Sequence, residues 1–234
     1  MMENSARYLA QTPILDYQNP AIAQLVKDQM WRTMPPVERV KAIYTFVRDQ
    51  ILFGYNASDQ LKASQVLADG YGQCNTKATL LMALLRAADI PCRIHGFTID
   101  KALQKGAISG IWYALSPQNI LHSWVEVWVN DTWYFLEGVI LDKKYLAALQ
   151  KRNPDCQTFC GFGAYTDDLQ QPPIDWNLNN TYIQDKGINQ DFGVFDSPDQ
   201  FYALHQQKLN WFKRLVFERV ARHLINANVR SIRK

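Results

Sequence analysis

Residues 70–93 read GYGQCNTKATLLMALLRAADIPCR. Gly70 and Gly72 mark a tight turn that delivers Cys74 to the start of a long apolar run, and Asn75 and Thr76 are residue types that cap helices. Ala78, Leu81, Leu84, Leu85 and Ala88 recur at helical spacing. Leu80 and Met82 widen that stripe, which predicts a helix buried on most sides. A thiol at such a position is either a small core residue or a nucleophile at the positive end of a helix dipole. The partners a nucleophile needs must come from elsewhere in the chain.

They come from residues 121–138. LHSWVEVWV and TWYFLEG are alternating aromatic and β-branched runs on either side of Asn130-Asp131, a hairpin signature. With a two-residue turn, Val129 faces Thr132 and Trp124 faces Glu137. His122, Trp124, Glu126, Trp128 and Glu137 then project from one face. The His122–Glu137 diagonal is about 7–8 Å between Cα atoms, within reach of an imidazole and a long carboxylate. A helix-borne cysteine, a strand histidine and a carboxylate are the three parts of a thiol-nucleophile triad. The imidazole moves the thiol proton and the carboxylate orients the imidazole. Glu126 shares the same face and is the substitute acid, although pairing with a core arginine or a backbone amide suits it better.

These motifs resemble the transglutaminase-like superfamily of papain-fold cysteine enzymes, in the bacterial type of domain. In that family a helix-borne Cys precedes a His in an H-[AS]-W-x-E-V strand and an acid after a second strand. Those positions are Cys74, His122 and Glu137. The upstream IYTFVRDQILFGYNASDQLKASQVLADGYGQC is similar too, so the resemblance covers about residues 37–142. Where the family's third member is usually Asp, this chain has Glu. The resemblance implies an α+β fold in which the Cys-bearing helix packs on an antiparallel sheet, with extra N- and C-terminal helices. It also implies an oxyanion hole made from the Cys74 N–H plus a second donor, either Gln73 or Tyr55, with Trp124 in support. The implied activity is hydrolysis of an amide or isopeptide carbonyl through a Cys74 thioester. Two alternatives are acyl transfer to an amine, as in protein-glutamine transglutaminases, and a non-catalytic binding module that keeps the fold. The implied substrate is a peptide or protein amide.

The rest of the chain frames this core as one domain over residues 1–234. NPAIAQLVKDQM and PPVERVKAIYTFVRDQI predict two helices, Ala63–Asp69 a short one, IPCRIHGFTI a strand and LDKKYLAALQKR a further helix. Residues 153–200 are rich in Asn, Asp, Gln, Gly and Pro and read as irregular decoration that could rim a cleft. Residues 201–234 return to helix. Between Lys208 and Lys234 there are eight Lys/Arg and one Glu, against a net charge of +3 for all 234 residues. Leu209, Phe212, Leu215, Val216, Val220 and Leu224 mark a greasy side by which this helix would dock, leaving a solvated cationic side. The alternative for that side is contact with nucleic acid or an anionic membrane; no base-stacking motif accompanies it, so no nucleic-acid partner is expected.

Hydrophobic residues make up 47% and charged residues 20%, a globular composition. The start, MMENSARYLAQTPILDY, lacks the basic and apolar regions of a secretory signal. The longest mostly apolar stretch, Ala78–Ile90, is interrupted by Arg86 and Asp89 and is too short to span a bilayer. A cytoplasmic location is therefore expected, with Cys74, Cys92, Cys156 and Cys160 as free thiols and the sequons at Asn56, Asn130 and Asn179 idle. Cys156 and Cys160 form a C-x3-C pair without a nearby His, so no metal is expected. No phosphate loop or calcium loop is present, and no cofactor is implied. His95, His205 and His223 have no paired spacing and read as structural.

Overall fold

The computed structural model describes residues 5–207 and 210–234. Two helices open the chain, α1 (Pro20–Asp28) and α2 (Pro36–Gln50), each with proline at its first turn, where the missing N–H costs no helical bond. Next come β1 (Leu52–Phe53), α3 (Ala63–Asp69) and β2 (Tyr71–Gly72), the two short strands pairing in parallel. Then follow α4 (Cys74–Ala87), β3 (Cys92–Asp100), α5 (Gly110–Leu115), β4 (Asn119–Val129) and β5 (Thr132–Phe135). The chain continues through α6 (Lys143–Arg152), the small hairpin β6 (Phe159–Gly161) and β7 (Ala164–Thr166), then β8 (Ile188–Phe195) and α7 (Pro198–Leu204). It ends in α8 (Trp211–Val216) and α9 (Arg222–Ile232), joined without a break by a π-helical turn over Phe217–Ala221.

An antiparallel sheet ordered β5-β4-β3-β8 forms the centre. The turn between β4 and β5 has Asn130 and Asp131 both at positive φ (50° and 58°), and Val129 pairs with Thr132 as the two-residue turn requires. Every residue of α4 is buried, in keeping with its apolar girth. The helix lies on the sheet face formed by Ser123, Val125, Val127, Ile94 and Cys92, and it is enclosed on its other sides by α1, α2 and α3. The opposite face carries His122, Trp124 and Glu126, in register with Phe97, His95 and Arg93.

Several expectations change on contact with the structure. Asn75 does not cap α4; that role falls to the residues beside it, with the Gln73 N–H donating to Thr76 Oγ1 (3.1 Å). The 153–200 segment is not wholly irregular, because β8 supplies a full edge strand to the sheet. Its residues are mostly exposed or half-buried, so an edge strand of this kind shows no period-two apolar pattern. The C-terminal helix docks by Phe217, Ala221, Ile225, Val229 and Ile232. Phe212, Leu215, Val220 and Leu224, read as its docking side, face solvent instead; Val216 is half-buried, and Leu209 and Lys208 lie outside the described residues. Among the described residues no helix is long and apolar enough to cross a membrane.

Candidate active site

Strand β5 is shorter than its partner, and the site occupies the space it leaves. Its last ladder bond runs from the Leu136 N–H to the Val125 carbonyl (2.8 Å), after which the chain turns away. The edge of β4 from Leu121 to Ser123 therefore presents backbone groups that no strand takes. Site residues take them instead. The Leu121 carbonyl accepts from Asn75 Nδ2 (3.0 Å), and the Leu121 N–H donates to Gln207 Oε1 (2.8 Å). The Ser123 N–H points at the Cys74 sulfur. Ser123 Oγ also donates to Asn75 Oδ1 (2.9 Å), so the start of α4 is fixed to the strand that carries His122.

Glu137 is not on the strand face opposite Trp124, where register arithmetic puts it. β5 ends at Phe135, opposite Glu126, and Glu137 opens a 3-10 turn (Glu137–Val139) tied by its N–H to the Thr181 carbonyl (3.2 Å). Its side chain still reaches back to the histidine. Glu137 Oε1 lies 3.2 Å from His122 Nε2, and both side chains are fully buried. Oε2 accepts from the Ile183 and Gln184 N–H groups at 2.5 and 2.9 Å. The extra methylene of Glu over Asp spans the distance that the turn adds. The approach of Oε1 to Nε2 is a close contact without hydrogen-bond geometry: Glu137 Oε1 and both His122 ring nitrogens are buried with no hydrogen-bond partner among the described residues.

Cys74 is the first residue of α4, and its buried side chain lines a cavity of about 450 Å³. Burial pushes the thiol pKa up, and the negative charge of Asp59 adds to that. The Asn75 and Ser123 N–H groups aimed at the sulfur oppose the rise without cancelling it. The resting thiol is thus protonated, where helix dipole and imidazole alone would have favoured the thiolate.

The supporting candidates divide. Gln73 is committed elsewhere: Oε1 accepts from the Asn56 N–H (2.8 Å) and Nε2 donates to Asp59 Oδ1 (2.9 Å). Tyr55 lines the cavity, but its hydroxyl donates to Gln104 Oε1. Its backbone is clamped by Asn226 of α9, at 2.7 and 2.9 Å. Trp124 packs between Phe97 and Phe135, with its ring centroid 6.3 Å from that of His122. Glu126 is far from free, lying 2.6 Å from Arg93 and 2.8 Å from His95. Cys92 is buried under α4.

Three cavity residues escaped sequence reading. Gln104 and Gln184 are almost fully buried, and Asp59 is half-buried. Gln184 Oε1 has no partner. The Gln104 side chain lines the cavity, and its oxygen is taken by the Tyr55 hydroxyl. A lone Gln or Asp in a loop carries no spacing signal that could have flagged any of them. The cavity is lined by residues from 53–60, 73–75, 104–121, 202–207 and 212–225; of the 153–200 segment only Gln184 contributes. Among the described residues no group of three or more His, Cys, Asp or Glu is placed to hold a metal ion.

Comparison with known proteins bears on the fold and the family. A candidate cysteine protease from Cytophaga hutchinsonii shares the fold at a TM-score of 0.50 and 12% identity, over 85% of this chain and 49% of that one. The chain thus spans about half the length of that protein. A candidate protease from Parabacteroides distasonis (TM-score 0.34, 17% identity, 56% and 26% covered) and the red sea bream transglutaminase (0.32, 18%, 57% and 25%) overlap less. No curated protein matches the sequence. Residues 23–138, which hold α4, the β4–β5 hairpin and the turn bearing Glu137, match the profile of the transglutaminase-like superfamily, and it is to this superfamily that the chain belongs.

Proposed function

We propose that the protein is a cysteine-nucleophile hydrolase of peptidase or amidase type, acting on an amide or isopeptide carbonyl. The observation that carries this reading is the buried His122–Glu137 pair beside the open edge of β4, where Ser123 points its N–H at the thiol of Cys74. His122 accepts the Sγ proton on Nδ1 as sulfur attacks the carbonyl carbon, and Glu137 stabilises the imidazolium. The carbonyl electron pair moves onto oxygen. That oxyanion is held by the Cys74 N–H, unpaired as the first of its helix, and by Gln104 Nε2. The C–N bond then breaks and the leaving nitrogen takes the proton from His122. Water, deprotonated by His122, resolves the thioester to a carboxylic acid and restores the thiol.

A second reading is favoured by Asp59. Its carboxyl lines the cavity beside Cys74 with amide partners and no ion pair among the described residues. A substrate amine held there would resolve the same thioester by acyl transfer. Product analysis separates the two, using peptide amides with and without an added alkyl amine and Cys74→Ala as control. Release of free acid in both conditions supports hydrolysis, and amine incorporation supports transfer. Product formation that survives Cys74→Ala contradicts both.

A further inference from the structure

The helical rod from Trp211 to Ile232 is apolar on two sides. Its inner side, Phe217, Ala221, Ile225, Val229 and Ile232, packs into the core. Its outer side bears Trp211, Leu215, Val220 and Leu224, which are 77%, 43%, 48% and 54% exposed. These four are spaced four, five and four residues apart, and the five-residue step falls in the π turn over Phe217–Ala221. A π turn takes one extra residue into an α-helix, so the five-residue step from Leu215 to Val220 stands in for an ordinary four-residue step. A monomer rarely exposes so large an apolar surface without a use for it. Leu115 of α5, 48% exposed, also lines the cavity.

The charges beside the stripe select the partner. Between Asn210 and Lys234 there are seven Lys/Arg and one Glu. That single acid, Glu218, is already held by Arg214 at 2.8 Å. Among the described residues Lys213, Arg219 and Arg230 make no ion pair, and all three are exposed. Nucleic acid would use the cations and leave the apolar stripe in water. An apolar stripe bearing Trp and Leu between cations suits a lipid interface, where the side chains enter the acyl boundary and the cations meet anionic headgroups.

We infer that the outer face of the Trp211–Ile232 helix docks on an anionic bilayer surface. Phe212, Lys213 and Arg214 of the same helix line the Cys74 cavity, so docking holds the mouth of that cavity against the interface. The inference stands on exposure and charge and does not depend on the catalytic reading.

The test is co-sedimentation of the full chain with vesicles of phosphatidylcholine alone and of phosphatidylcholine with about a third phosphatidylserine. Binding is expected only to the second kind, weakening as salt rises from about 0.1 to about 0.5 M. The triple variant Trp211→Ser, Leu215→Ser, Leu224→Ser changes exposed positions only and should retain the wild-type melting curve. It should lose at least about tenfold in vesicle affinity, and Arg219→Gln should reduce binding at low salt. Three results would overturn the inference: no partition into phosphatidylserine vesicles, equal partition of the triple variant, or a wild-type dimer that the triple variant converts to monomer. The last would assign the face to a second copy of the chain.

Discussion

His122 Nε2 and Glu137 Oε1 lie 3.2 Å apart in a fully buried pocket, although the strand that leads to Glu137 stops before it reaches the histidine. Two backbone N–H groups on Glu137 Oε2 fix the carboxylate from the far side. The substitution Glu137→Gln keeps an acceptor for those groups but removes the negative charge that stabilises an imidazolium. Activity should fall by about 100-fold or more, with little change in melting temperature. Glu137→Ala instead strands two buried donors, which costs about 1–3 kcal/mol for each, and should lower the melting temperature as well.

The oxyanion assignment separates two chemistries at one sulfur. Acylation of Cys74 by a p-nitrophenyl ester passes through an oxyanion, whereas alkylation by iodoacetamide does not. Gln104→Ala should slow acylation by about 100-fold and leave alkylation unchanged. Tyr55→Phe, which frees the Gln104 amide to rotate, should give a smaller loss of the same kind. An equal fall in both rates would show a structural role only.

Lys77 gives the fold a pH dependence of its own. Its ammonium is fully buried, donating to the Arg48 and Ile140 carbonyls at 3.0 Å each, and burial lowers its pKa to about 7. The unfolded value is near 10.4. Between these values the unfolded chain binds more protons than the native one, so stability rises with pH, by at most about 1.4 kcal/mol per unit. Lys77→Met should flatten that rise. Melting temperatures of the two proteins from pH 7 to 10 provide the check, and parallel curves would contradict it.

His95 behaves in the opposite sense. Burial alone would lower its pKa, but the carboxylates of Glu126 and Asp191, each 2.8 Å from a ring nitrogen, outweigh burial and raise it. The stabilisation is complete below about pH 6.5, the unfolded value, and is lost as pH rises through the higher native one. His95→Gln should therefore destabilise the protein more at pH 6 than at pH 9. A pH-independent loss would show that packing against Phe97 dominates.

The sequence made the Cys-bearing helix, the strand from Cys92 and the Asn130-Asp131 hairpin legible because each has a local cause: helical girth, alternation and a turn pair that accepts positive φ. Glu137 lies beside His122 but off the strand position that register arithmetic gave it. Strand arithmetic assumes that pairing continues, and Leu136 leaves the sheet to bridge Thr181, a contact 45 residues away. The edge strand Ile188–Phe195 was missed because an edge buries too little to alternate. The outward stripe of the last helix was misread because a π turn, invisible in spacing rules for 3.6 residues per turn, sets which side faces the core. Gln104 and Gln184 gain their meaning only from what the cavity places beside them.

The central claim, that Cys74 is a nucleophile served by His122, is tested most directly by brief acylation with p-nitrophenyl acetate followed by peptide mapping of wild type and His122→Ala. The half-buried Cys156 and exposed Cys160 act as internal references for ordinary thiols. The account predicts an acyl group on the Cys74 peptide in wild type, formed faster than on either reference, and its loss in His122→Ala. Acylation of Cys74 no faster than of Cys160, or unchanged by the histidine substitution, would contradict it.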